Sequence, residues 1–139
     1  MKRVVLDASV ALSWFLDNPV PDYAIAVRGA IVNGTRAVVP SLWHLEIANT
    51  LVVAERRRML VRDALVRSLK DIEQIVGESI DTRNDLVSIR QAVTTARTYD
   101  LTAYDAVYLD MARHEALPLA TLDHVLRAAA GRAGVDLFR

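Results

Sequence analysis

Short apolar runs recur between long stretches of helical period, and that alternation leaves few folds open. "RVVL" (Arg3–Leu6), "RAVVP" (Arg36–Pro40) and "LPLATLD" (Leu117–Asp123) each crowd apolar residues without the polar alternation of a half-exposed strand. Strands buried on both faces read this way, and they belong to parallel sheets covered by helices. Between them, "VRDALVRSLKDIEQIV" spaces Leu65, Leu69, Ile72 and Val76 as one helical face. Further helices are predicted behind Ser9 through Leu16, from Asp22 through Ile31 to the Asn33-Gly34 stop, and behind Ser41 from Leu42 to about Arg57. "LVSIRQAVTTARTY", the stretch from Ala103 to about Glu115 behind Thr102, and "HVLRAAAG" complete the helices. "ESID" is expected as a brief strand and "VDLF" as a last one. The expectation is an α/β fold, a three-layer α/β/α sandwich on a mostly parallel central sheet, with residues 1–139 forming a single domain.

In such sheets ligands bind outside the carboxyl ends of the strands, and acids stand at two of those ends. Asp7 closes "RVVL" and Asp123 closes "LPLATL". An ionised carboxylate at the edge of a core is costly to desolvate unless it is paired or coordinates a metal. Glu46 has Leu42, Trp43, Asn49 and Thr50 as its helical neighbours, with Val53 a turn further, so it lies on the inward stripe or its margin. Asp105 stands above Tyr108, Leu109 and Ala112. Structural roles compete at each place. Glu46 can snorkel to water, Thr102-x-x-Asp105 has the spacing of a capping box, and Asp123 can cap the helix that follows it. Asp110, with Arg113 and His114 at the next turn, reads as a solvated ion-pair residue and is set aside.

Four like charges could not share one pocket without raised pKa values or a cation. A hard divalent ion, Mg²⁺ or in its place Mn²⁺, prefers carboxylates and water, and the chain offers no Cys or His cluster for zinc. Such an ion activates water and neutralises charge building on a phosphate, which points to phosphodiester hydrolysis. With 17 basic and 17 acidic residues the chain lacks the basic excess of a non-specific nucleic-acid binder. The absence of cysteine excludes disulfides and thiolate metal sites and fits a reducing cytoplasm. Lys2-Arg3 before "VVLDASVALSWFL" has the outline of an export signal, but Asp7 breaks its apolar region, so the segment is read as fold. No apolar run approaches the ~20 residues of a membrane span.

Asp7 in "LDASV", Glu46 in "PSLWHLEIANTL", Asp105 in "LTAYDAVYLDMA" and Asp123 in "LPLATLDHVL" resemble, in order and along essentially the whole chain, the acidic signatures of the PIN domain. The likeness is greatest to VapC-type ribonuclease toxins of bacterial toxin–antitoxin pairs. The resemblance implies an endoribonuclease that cuts structured RNA such as tRNA or ribosomal RNA. It further implies one or two Mg²⁺ or Mn²⁺ ions held by Asp7, Glu46, Asp105 and Asp123, a homodimer, and silencing by a VapB-like antitoxin. Ser9 and Thr121 match the hydroxyls that support the first and last acids in that family, and Asn49 matches a polar position one turn beyond the glutamate.

Arg56, Arg57 and Arg58 in "ERRRMLVR" are candidates for gripping RNA backbone, against the plainer reading of a solvated helix end. His124, beside Asp123, is a candidate RNA contact. Trp14, Trp43, Tyr104 and Tyr108 are read as core or dimer-interface residues. Two rival functions stay open: a carboxylate phosphatase using Asp7 as nucleophile, for which the expected second Asp is Ser9 here, and a non-catalytic interaction module in which the acids are only caps.

Overall fold

The computed structural model describes residues 1–139 as four strands and seven helices. In chain order these are β1 (Arg3–Leu6), α1 (Ala8–Leu16), α2 (Asp22–Val32), β2 (Arg36–Pro40), α3 (Leu42–Arg56) and α4 (Arg62–Ser79). There follow β3 (Ile80–Arg83), α5 (Ile89–Tyr99), α6 (Ala103–Glu115), β4 (Leu119–Ala120) and α7 (His124–Arg132). All strand pairs are parallel, in the order β3-β2-β1-β4, with Arg3 beside Arg36, Leu6 beside Ala120 and Pro40 beside Arg83.

The apolar runs are buried as their composition requires. Val4, Val5, Leu6, Ala37, Val38 and Val39 are all 0% exposed. The chain steps outward from β1 to β2 to β3, then returns across the sheet to place β4 on the other side of β1. Parallel crossovers are right-handed, so reversing the direction of travel puts α1 to α4 on one face and α5 and α6 on the other. Trp43, Leu51, Tyr108, Leu109 and Leu126 fill the layers between helices and sheet. The β1–β4 boundary is where connections leave in opposite directions, the crevice in which doubly wound sheets bind ligands. No helix is long and apolar enough to cross a membrane.

Several local expectations change. "VDLF" forms no strand. Leu137 makes one isolated bridge to Leu119, because β4 is only two residues long and gives a fifth strand nothing to run along. Ser9 does not cap α1: the helix starts at Ala8, Asp7 holds the capping position without a side-chain bond, and the Ser9 hydroxyl is drawn across to β4. Ser41 occupies the cap of α3 in a helical conformation and makes no capping bond. Thr102 and Ser88 do cap, accepting the Asp105 and Gln91 amides. Asp110 is not an ion-pair partner of the next turn but accepts the Thr95 hydroxyl at 2.7 Å, tying α6 to α5. Trp14, Trp43 and Tyr108 are buried at 8%, 1% and 0% exposure, whereas Tyr104 is 66% exposed.

Candidate metal centre at the carboxyl edge of the sheet

Parallel pairing of Leu6 with Ala120 carries the two strands to a common edge, where Asp7 follows one and Thr121 the other. The Asp7 amide donates to the Ala120 carbonyl at 2.9 Å, so the ladder fixes the backbone of the acid itself. Asp7 is 5% exposed and Thr121 0%.

The hydroxyls around Asp7 can be followed hydrogen by hydrogen. Ser9 Oγ donates to Asp7 Oδ2 at 2.6 Å and Thr121 Oγ1 donates to the same oxygen at 2.7 Å. Each hydroxyl has one proton, so the 3.3 Å approach of Ser9 to Thr121 carries none. Their oxygens in turn accept backbone amides, Leu122 on Ser9 and Asp123 on Thr121, each at 3.0 Å. Asp7 Oδ2 therefore takes both hydroxyl protons, and Oδ1 has no side-chain donor.

The same division recurs. Asp123 Oδ1 accepts the Leu126 amide at 2.9 Å, so Asp123 does cap α7 while its second oxygen stays free. Glu46 Oε1 accepts the Tyr108 hydroxyl at 2.6 Å, leaving Oε2. Three acids from three parts of the chain thus each have one oxygen held by the donors named and a second that accepts none of them.

Three of the four carboxyls are shifted by burial and by neighbouring acids. Burial pushes the Asp7 carboxyl above its usual range, the Ser9 and Thr121 hydrogen bonds pull against the rise, and the charge of Asp123 adds to it. Glu46 is raised by burial, with Tyr108 opposing and Asp7 and Asp105 adding repulsion. Asp105, at the head of α6, is pushed up to about 6 by burial and then by the charges of Asp123 and Asp7. Tyr108 is raised by burial and by its bond to Glu46, which keeps it a proton donor.

The donor chemistry fits a hard divalent cation: all oxygen, mutually repelling, and without His or Cys. No three of these side chains are grouped closely enough to hold an ion directly. Mg²⁺ usually keeps several waters and takes one or two carboxylates directly.

Other sequence candidates lie apart. Asn49 is exposed one turn beyond Glu46, outside the hydrogen-bond network. Arg56, Arg57 and Arg58 are exposed at the far end of α3, about 15 Å along its axis from Glu46 at 1.5 Å per residue. His124 is the exposed first residue of α7, next to the acid that caps it. A cavity of about 840 Å³ opens between the β3–α5 connection and helices α5 and α6, with Leu42, Arg83, Leu86 and Met111 among its walls; none of the four acids lines it. Sequence reasoning missed Tyr108, an aromatic on an apolar stripe whose only distinguishing mark was its place one turn after Asp105.

Comparison with known proteins agrees with this architecture. PAE2754 from Pyrobaculum aerophilum superposes with a TM-score of 0.67 at 22% identity, covering 93% of this chain and 84% of its own. FitAcB from Neisseria gonorrhoeae superposes at 0.66 and 18% identity, covering 98% and 96%. A domain of a functionally unknown protein from Methanocaldococcus jannaschii reaches 0.57 at 16% identity, covering 99% and 90%. At these identities the likeness is one of fold. No curated protein matches the sequence. The family model of the PIN domain matches residues 4–132, from the first strand through the last helix, and the chain belongs to the PIN domain family.

Proposed function

We propose that the protein is a Mg²⁺- or Mn²⁺-dependent endoribonuclease of the VapC type, a single domain over residues 1–139 that cuts structured RNA such as tRNA or ribosomal RNA in the cytoplasm. What supports this reading is the placement of Asp7, Glu46 and Asp105 within reach of one another's charge beside the β1–β4 switch point, their pKa values raised by burial and by neighbouring acids, the charge of Asp123 among them. A crowded set of acids is poorly stable alone and well suited to a divalent ion.

Such an ion, when bound, lowers the pKa of a water and offsets charge gathering on the phosphate. Asp7, Glu46 and Asp105 would hold it, directly or through its waters. Ser9 and Thr121 fix the direction of Asp7 by saturating one of its oxygens, as supporting groups do in metal sites. Asp123, with one oxygen free of the helix cap, would either complete that set or orient the water. Arg56, Arg57, Arg58 and His124, exposed beyond the acids, serve as outlying contacts to RNA backbone. A homodimer and a VapB-like antitoxin complete the reading. Exposed apolar residues such as Leu45 at 75% and Leu86 at 98% offer partner chains surface to bury.

The test pairs cleavage with end-mapping of cellular RNA after a short pulse of expression. Wild-type protein should cut RNA only with Mg²⁺ or Mn²⁺ present, and Asp7→Asn should abolish cleavage with the fold kept. Wild-type cleavage by Asp7→Asn would refute the assignment.

A further inference from the structure

Tyr108 is 0% exposed on α6, one turn after Asp105, and its hydroxyl lies 2.6 Å from Glu46 Oε1 on α3. A buried phenol usually satisfies its hydroxyl on a nearby carbonyl or water. Here it donates to a carboxylate at the acidic edge, joining a helix of one layer to a helix of the other. Glu46 makes no other side-chain hydrogen bond to the protein. It is half-buried, on a flexible stem, and repelled by Asp7 and Asp105. Without a tether it gains both solvation and distance by swinging outward.

We infer that Tyr108 is a positioning residue that holds Glu46 in the acidic cluster and leaves it one oxygen for a cation, an inference that rests on the metal-dependent reading above. One turn of α6 then does two jobs: Asp105 contributes its own carboxylate and Tyr108 aims a second one supplied by α3. The arrangement parallels the treatment of Asp7 by Ser9 and Thr121, with a phenol in place of two aliphatic hydroxyls.

The test is calorimetric titration of the full, metal-free chain with MnCl₂, so that binding is read apart from cleavage. Tyr108→Phe keeps the ring and removes the tether; Mn²⁺ affinity should fall about tenfold or more, the range seen when supporting groups are removed from metal ligands. In a Glu46→Ala background the same substitution should cause no further loss. Wild-type affinity in Tyr108→Phe, or an equal loss in both backgrounds, would overturn the role of Tyr108 while leaving the metal reading intact. A wild-type chain with no saturable Mn²⁺ binding would remove both. The bond is also measurable with Tyr108 unchanged, should Tyr108→Phe fail to fold. Its hydroxyl proton should give a slowly exchanging downfield resonance that Glu46→Ala abolishes. Absence of that resonance from the wild type, or its persistence in Glu46→Ala, overturns the inference.

Discussion

At the scale of single residues, the edge of the sheet is organised by which oxygens the fold occupies. Thr121 is the most committed of these groups. Its one proton goes to Asp7, its oxygen accepts the Asp123 amide, and it has no access to solvent. Thr121→Val keeps the shape but leaves Asp7 short of a donor and strands a part-buried N–H. An unsatisfied buried group costs about 1–3 kcal/mol, and that is the loss expected in urea-monitored unfolding. Thr98→Val is the control, since Thr98 is exposed and bonds only back to its own helix; it should stay within about 0.5 kcal/mol of wild type. Equal stability of the two variants would mean that the hydroxyl relay at Asp7 is dispensable. Because the Thr121 bond also holds the Asp7 pKa down, Thr121→Val should weaken Mn²⁺ binding as well.

At the scale of elements, helix ends show where local rules are obeyed and where they are overruled. α6 ends on Ala116, held at φ 53° and ψ 46° in the left-handed region. A side chain there costs roughly 1–2 kcal/mol, and glycine escapes that cost while losing some of the gain to a freer unfolded chain. Ala116→Gly should therefore stabilise the protein by about 0.5–1 kcal/mol net, seen as a higher midpoint in thermal unfolding; a lower midpoint would locate a hidden role for the Ala116 methyl. The two central strands were legible because a short wholly apolar run encodes burial directly, as in Val4–Leu6. Along α4, by contrast, the periodicity gave the helix but only part of its buried face: Ile72 is buried and Leu69 is exposed. Caps were less legible. Ser9 has the right identity and position to cap α1, yet a pairing with Leu122, 113 residues away, competes for its hydroxyl and wins. The acids of the candidate site could be found because a carboxylate ending an apolar strand violates a simple expectation. Tyr108 violates none, since all but its oxygen behaves as core, and only the hydrogen bond that reaches from α6 to Glu46 on α3 gives that oxygen its meaning.

At the scale of the whole molecule, a formally neutral chain, with 17 charges of each sign, gathers like charge at one edge of its sheet. The ion pairs lie elsewhere, with Arg36 on Asp81 and with Arg3 and Arg83 on Glu115. The consequence for pH runs opposite to that of an ordinary salt-bridged acid. Asp105 has a folded pKa of about 6 against an ordinary value of 3.8, so between those limits the folded chain binds a proton that the unfolded chain does not. Stability from this source is fully present below the lower value and is lost as pH rises through about 6. Asp7 and Glu46 are shifted in the same direction and add to it. Asp81, lowered by its bond to Arg36, acts with the opposite sign, but its loss falls below 3.8, outside that window. In EDTA, the protein should melt at a higher temperature at pH 5 than at pH 7.5. Mn²⁺ should reverse the order, because protons compete for the same oxygens and a ligand of the folded state stabilises most where it binds best. A metal-free melting point that climbs from pH 5 to pH 7.5 would mean that the four carboxylates do not share a field, and the case for a cation among them would lose its electrostatic basis.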